Sequence, residues 1–389
     1  MTNEQFIAQN TNVDVRTLAL GKAPFGIDLR FCLQQIEGRQ IARRKLPLWA
    51  KTDGIIYPIK LSLEQCSSEQ TALYKQQLVK RLLPEDRKNM TDLTGGYGID
   101  FSMMAKLFSE ADYVECNEHL CEIARHNFPL LGLKQARVHC MMSEDFISIM
   151  GNYSLIYLDP SRRDANGRRV VALCDCTPNL EALQDKLLSH ARIVIAKLSP
   201  MLDIQDSLRR LPNVSEVHVV SVGGECKEVL LVLCQEKEAT SFHCTNISTR
   251  LQTFSTIMRD AEPEIASQLE RYLYEPNASI MKAGVQNVLC QSYHIKKLHP
   301  FSHLFTSPYL IEDFPGRAFV IEDYCSFAKK DLKLLLTGIS QCNLTVRNFP
   351  SSVAELRKRL KLREGGDCYL FATTISDGSH AMLRCRLPN

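Results

Sequence analysis

The sequence predicts an α/β fold. An open, mostly parallel sheet of seven strands with an antiparallel last strand follows a helical N-terminal region and precedes small α+β domains. Three observations carry this. The stretch Met90-Thr-Asp-Leu-Thr-Gly-Gly-Tyr-Gly-Ile-Asp100 reads as a short strand, a glycine turn and the start of a helix that runs from Ile99 to Phe108. From Asn89 to Cys234, strand-like runs at 89–93, 112–116, 136–140, 153–158, 191–197, 215–221 and 228–234 alternate with helical runs such as 99–108, 118–131 and 178–189. That alternation is the signature of a parallel sheet covered on both faces. The last two strands are joined by Val222 to Lys227 alone, too short for a crossover, so they form an antiparallel hairpin.

Residues 1–85 are mostly helical. Leu29, Cys32, Leu33 and Ile36 recur at helical spacing ahead of a basic run with Arg39, Arg43, Arg44 and Lys45, which reads as a solvated face. Pro47 and Pro58 punctuate the region. Ser67 followed by Gln70 reads as a capping box opening a helix over Gln70–Leu83, which Pro84 ends. Beyond 236 the alternation stops. The spacing predicts helices over Glu262–Arg271, Ser279–Leu289, 328–340 and Ser352–Leu362. The segment Phe314–Ile321 is expected to end in a strand, Leu344–Pro350 reads as strand then turn, and strands are expected at Cys368–Thr374 and His380–Arg386. The expected domains are 1–85, 86–236, 237–321 and 322–389.

With 389 residues, 45% hydrophobic and 23% charged, the chain buries a core that needs no disulfide staples. Its net charge of +3 is too mild to name a partner, so the distribution of charge must decide. The 15 cysteines include no C-x-x-C pair, which points to reduced thiols rather than a disulfide framework or a zinc site; no metal is expected. The start, Met-Thr-Asn-Glu-Gln, lacks a basic n-region, and no apolar run approaches the roughly 18–20 residues that span a bilayer. The expectation is a cytoplasmic protein with no membrane partner.

Glycines in the turn let the backbone take positive φ and approach a ligand, and the helix start behind them offers free N–H groups. Glu115 ends the second strand 19 residues after Gly96, where a carboxylate accepts hydrogen bonds from two ribose hydroxyls. Phe101 stands where a dinucleotide motif has its third glycine, which disfavours NAD or FAD and is compatible with a nucleoside without a pyrophosphate. The fourth strand ends in Asp159-Pro160-Ser161-Arg162-Arg163, at the strand edge where α/β sheets bind ligands. A carboxylate and carbonyls there accept hydrogens from an exocyclic amine and aim its lone pair at an electrophilic methyl. Arg162, Arg163, Arg168 and Arg169 make the following loop positive, suited to a polyanion, or simply solvated past a strand stop.

Other groups read two ways. Lys197 ends the fifth strand at the same edge. Glu225, Lys227 and Glu228 either clamp a substrate or decorate a solvated turn. Arg347, Arg357, Lys358, Arg359, Lys361 and Arg363 form either a phosphate-binding patch or a solvated face, with Val353, Leu356 and Leu360 docking the basic helix. Cys174 and Cys176 raise a thiolate nucleophile, which Asp175 between them opposes; small buried cysteines are the alternative.

Asp92-x-Thr-Gly-Gly-x-Gly98, Glu115 and Asp159-Pro-Ser-Arg162 resemble the first, second and fourth motifs of class I S-adenosylmethionine-dependent methyltransferases, whose Rossmann-like sheet also has a reversed seventh strand. Thr345-Val-Arg-Asn-Phe-Pro350, Glu355-Leu-Arg-Lys-Arg-Leu360 and Gly365-Gly-Asp-Cys-Tyr-Leu-Phe-Ala-Thr-Thr374 resemble the THUMP-like domain of a bacterial methyltransferase-like family. Tyr272 to Phe319 resembles its ferredoxin-like domain, and with Ser62-Leu-Glu-Gln-Cys-Ser-Ser68 the similarity spans nearly the whole chain. The resemblance implies an S-adenosyl-L-methionine site lined by Asp92, Thr94, Gly95, Gly96, Gly98, Glu115 and Asp145. It also implies an RNA partner, ribosomal or transfer RNA, methylated on a base nitrogen. Asp159 and Pro160 would act at the reacting amine, and Arg162, Arg163, Lys197, Glu225, Lys227, Arg347, Arg357, Lys358 and Arg359 would meet substrate. Ser161 and Arg162 stand where amino-directed methyltransferases usually have a proline and an aromatic ring, so base stacking must come from elsewhere. A non-catalytic RNA-binding protein on the same fold, or a protein or small-molecule methyltransferase, are the alternatives.

Overall fold

The computed structural model describes residues 1–22, 24–161, 173, 176–236, 239–257 and 261–388. Arg162, Arg163, Arg168, Arg169, Cys174 and Asp175 lie outside the described residues. The chain folds as two compact units, Met1–Ser215 with Leu230–Lys237, and Glu216–Val229 with Glu238–Asn389.

The first unit opens with six helices: α1 (Asn3–Asn10), α2 (Val15–Leu20), α3 (Leu29–Lys45), α4 (Pro47–Lys51), α5 (Lys60–Gln65) and α6 (Glu69–Leu82). Side-chain oxygens of Thr2, Asp14, Asp28 and Ser68 cap four of them by accepting from backbone N–H groups one turn in. The cap of α6 is Ser68 rather than the expected Ser67. Ser68 Oγ accepts from Thr71 N–H at 3.2 Å, which frees Ser67 to face inward.

The strands and helices of the alternating region are β1 (Asn89–Asp92), α7 (Ile99–Met104), β2 (Glu110–Glu115), α8 (Glu118–Leu130), β3 (Ala136–Cys140), α9 (Ser143–Ile149), β4 (Tyr153–Leu158), α10 (Leu180–His190), β5 (Ala191–Leu198), α11 (Ile204–Arg210), β6 (Val214–Val222) and β7 (Glu225–Leu233). In this unit the strands lie in the order β3-β2-β1-β4-β5-β7. The pairs β1–β2, β1–β4, β2–β3 and β4–β5 are parallel, with Met90 opposite both Ala111 and Leu155. Covered on both faces, β4 and β5 read as apolar runs rather than alternating ones. One core gathers Met90, Phe101, Met104, Tyr113, Phe128, Leu155, Ile195 and Leu230. A second packs Trp49 and Tyr57 from the helical region against Tyr97, Ile99 and Met103, so the glycine turn's own helix is gripped from outside the sheet.

In the second unit β7, β6, β8 (Ser241–Ile247) and β9 (Leu251–Ile257) are neighbours in that order. Only Gly223 and Gly224 join β6 to β7, at φ of +59° and +83°. Two residues at positive φ make a tight hairpin turn, so β7 runs antiparallel to β6. The reversed last strand is therefore present. A second sheet runs β11-β12-β10-β13-β16-β15-β14, built from β10 (Tyr272–Pro276), β11 (Lys296–Lys297), β12 (Phe305–Ser307), β13 (Gly316–Ser326), β14 (Gln341–Arg347), β15 (Arg363–Thr374) and β16 (His380–Arg386). Its helices are α12 (Ala278–Ala283), α13 (Val288–Tyr293), α14 (Lys329–Leu335) and α15 (Val353–Leu360).

Two expected helices differ. Glu262–Arg271 is not helical: Glu264 C=O accepts from Lys297 N–H at 2.7 Å and Ala266 N–H donates to Lys297 C=O at 2.9 Å, so the segment's backbone pairs with β11 instead. The helix expected over Ser279–Leu289 is two, because Gly284 caps α12 in the left-handed conformation. Helix α15 carries a full capping box, Ser352 with Glu355. Among the described residues no helix is long and apolar enough to cross a membrane.

Candidate functional site

The site is built on the turn between β1 and α7. Leu93 N–H donates to Tyr157 C=O at 2.9 Å and Gly95 N–H to Val114 C=O at 2.8 Å, so the turn is tied to the strand on each side. A Cβ on Gly95 would sit 2.1 Å from the Tyr113 ring, and one on Gly98, at φ +83°, 2.8 Å from Phe128. Glycine is required at both places by packing. Gly96 differs. Its φ is +56°, yet the nearest atom to a Cβ there is Thr94 O at 3.8 Å, so its outer face is open.

The same turn orients an acid. Gly96 N–H donates to Glu115 Oε2 at 2.8 Å, and Asn117 N–H donates to Glu115 Oε1 at 2.8 Å. Tyr113 OH donates to Gly96 C=O. The Glu115 carboxylate is thus fixed by two backbone donors beside the open glycine.

Asp92 is buried beneath the turn and accepts from Thr94 N–H at 3.0 Å. Burial pushes its carboxyl up to about 8, against the hydrogen bond from Thr94. Thr94 Oγ1 in turn accepts from Asp159 N–H at 2.6 Å, which couples the end of β4 to the turn. Ser143 Oγ donates to Leu93 C=O at 2.6 Å and brings the start of α9 to the same place. Asp145 is exposed in the first turn of α9. Pro160 is buried behind Asp159, and Ser161 exchanges backbone hydrogen bonds with Thr177.

A charged network underlies this edge, and sequence reading missed most of it. Lys197 Nζ lies 2.5 Å from Asp159 Oδ2, 3.4 Å from Asp100 Oδ2 and 3.2 Å from Ser67 Oγ. Lys75, fully buried, reaches Asp100 Oδ1 at 3.2 Å and Ser67 Oγ at 3.4 Å, and Tyr157 OH donates to Asp100 Oδ2 at 2.8 Å. Burial alone would raise the Asp100 carboxyl. The Lys75 and Lys197 ammoniums with the Ser67 and Tyr157 hydroxyls outweigh it and hold the group down at about 2. Lys197, expected to meet substrate, is thus committed to two carboxylates and is 13% exposed.

The remaining expected substrate groups lie in the second unit. Glu225 and Lys227 pair with each other at 2.6 Å across the hairpin start. Arg347 pairs with the buried Glu275 at 2.7 Å, and Arg317 binds the same carboxylate. Arg357 is mostly covered and donates to Cys342 C=O at 3.3 Å. Arg359 lies 4.9 Å over the Phe327 ring, and both it and Lys358 are exposed on α15. Cys176, part of the thiolate alternative, is buried.

Residues 272–315 match a ferredoxin-like domain model and residues 316–387 a THUMP domain-like model. A crystal structure of a protein assigned as a methyltransferase from Porphyromonas gingivalis W83 is 33% identical, covers 100% of this chain and 98% of its own, and superposes with a TM-score of 0.87. The chain belongs to the bacterial methyltransferase family with a C-terminal THUMP-like domain. The family's Rossmann-like sheet is the one that carries Gly96, Glu115 and Asp159. Weaker likenesses include a protein assigned as an RNA methyltransferase from Pyrococcus horikoshii (14% identity, 49% of this chain, 97% of that chain, TM-score 0.36) and an O-methyltransferase from Bacillus cereus in complex with SAH (13%, 52% and 98%, TM-score 0.35). At such TM-scores they add no argument. Among curated proteins none matches.

Proposed function

We propose that this family member is an S-adenosyl-L-methionine-dependent methyltransferase acting on a base nitrogen of RNA, ribosomal or transfer. The observation that carries the reading is the Glu115 carboxylate, fixed by Gly96 and Asn117 N–H groups beside an open glycine face. A nucleoside without phosphates fits there: its ribose hydroxyls donate to Glu115, and the open side of Gly96 accepts a close approach. Asp92, Thr94, Gly95, Gly96, Gly98, Glu115 and Asp145 would hold the cofactor. When bound, it supplies an electrophilic sulfonium methyl.

The chain's own contribution is placement. Asp159, tethered by its backbone to Thr94 and by its carboxylate to Lys197, accepts hydrogens of an incoming amine and turns its lone pair inward. Pro160 stiffens the strand end behind it. Positioning of this kind supplies most of the rate in a transfer that needs an in-line nucleophile. The RNA reading is supported by the THUMP-like match and by the exposed Lys358 and Arg359, with Arg162 and Arg163 assigned to the same polyanion.

Incubating the protein with methyl-labelled cofactor and with ribosomal and transfer RNA from a strain lacking the gene tests the reading. Nucleoside mass spectrometry is expected to find a new base N-methyl group. Label on a ribose, on a base carbon or on protein alone, or no transfer to any RNA, would overturn it.

A further inference from the structure

Glu216, His218 and His243 converge on one face of the β6–β8 pair, and the mechanism uses none of them. His218 stands directly opposite His243 in the parallel register, and Glu216 is two residues before His218 and so on the same face. His218 Nε2 lies 2.8 Å and His243 Nε2 3.8 Å from the same Glu216 oxygen. One ligand atom from each of the three falls within 4.8 Å of the others. We infer that these residues form a divalent transition-metal site with two imidazoles and one carboxylate.

Two features favour a bound ion over a simple hydrogen-bonded cluster. The other ring nitrogen of His243, Nδ1, is engaged by Ser255 Oγ at 2.9 Å, from the position opposite it on β9. That outer contact fixes which nitrogen points at Glu216, as outer hydrogen bonds do for metal-bound histidines. The cluster is also sheltered: the side chains of His218, Glu216 and His243 are 3%, 17% and 27% exposed.

Closing on an ion requires the three side chains to rearrange. Bonds of about 2.0–2.1 Å in a tetrahedral site put ligand atoms roughly 3.4 Å apart. The 2.8 Å pair opens and the 3.8 Å pair closes by about half an ångström each. The His218 and His243 rings stack, centroids 4.5 Å and planes 11° apart, so one must turn before both nitrogens reach a single ion, and His243, the more exposed of the two, is the one to turn. Ser241 Oγ, 3.0 Å from His243 Nε2, or water takes the fourth position. Imidazole and carboxylate together suit Zn²⁺, Co²⁺ and Ni²⁺.

The test uses the full chain, stripped with chelator and kept in a phosphine reductant, titrated with Co²⁺ and then Zn²⁺. One equivalent of Co²⁺ is expected to give visible d–d bands without the near-ultraviolet band of cobalt thiolate, which separates this site from the 15 cysteines. Zn²⁺ is expected to raise the melting temperature of the wild type. His243→Gln, at the more exposed ligand, is expected to keep the fold and weaken binding at least a hundredfold, and Glu216→Gln at least tenfold. No binding, a thiolate band, or binding unchanged in both variants would overturn the assignment.

Discussion

Lys75 Nζ lies 3.2 Å from Asp100 Oδ1, with the lysine wholly removed from solvent. The pair joins the N-terminal helical region to the helix that starts at the glycine turn. Removing one partner leaves a buried charge. Lys75→Met is therefore expected to cost about 3 kcal/mol, the low end of the range for broken buried pairs because Lys197 still serves Asp100. The double variant Lys75→Met, Asp100→Asn is expected to recover part of that loss in denaturant titrations. Additive losses would contradict the pairing. The contribution of Asp100 is present above the ordinary carboxylate range and is lost as pH falls through about 2.

Asp92 titrates in the opposite sense. Burial raises its carboxyl to about 8, so the folded chain keeps a proton that the unfolded chain releases near 4. Stability therefore falls as pH rises from about 4 to about 8, and the loss is complete above that. Asp92→Asn is expected to remove this dependence and to be the more stable protein at pH 8, by on the order of a few kcal/mol. Melting curves at pH 5 and pH 8 check it, and a wild type no more pH-sensitive than the variant would contradict it.

The basic groups of the second unit divide by what they already hold. Lys358 and Arg359 are exposed, whereas Arg347 is tied to Glu275 and Arg357 is mostly covered. Reversing Lys358 and Arg359 to Glu is expected to weaken RNA retention roughly tenfold at low salt and to lower the salt slope by about one per lost phosphate contact. Arg347→Met is expected instead to reduce stability, since it strips a partner from buried Glu275. Filter binding and melting curves separate the two; an Arg347→Met protein of unchanged stability and equally weakened RNA binding would contradict the division.

The parts read correctly from sequence are those fixed by local chemistry. Strands 136–140, 153–158 and 380–386 fall where expected, and 153–158 does so because it is a short, buried, mostly apolar run between turn residues. The glycine turn was legible because Gly95 and Gly98 leave no room for a Cβ. What failed depends on distant partners. Glu262–Arg271 has helical spacing, yet its backbone pairs with Lys297. Ser67 looked like a cap, yet Lys197, which approaches it at 3.2 Å, is 130 residues away in the chain. Glu216, His218 and His243 escaped the cysteine and histidine spacing rules because two adjacent strands supply them.

The proposed cofactor pocket is tested most directly by calorimetric titration of S-adenosyl-L-methionine into the wild type, Gly96→Arg and Glu115→Ala, with folding of each confirmed by its melting curve. Saturable one-to-one binding to the wild type is expected. It should be abolished by the arginine, whose side chain fills the open face, and weakened at least tenfold by loss of the carboxylate. A folded wild type that gives no heat, or variants that bind as tightly as the wild type, would contradict it.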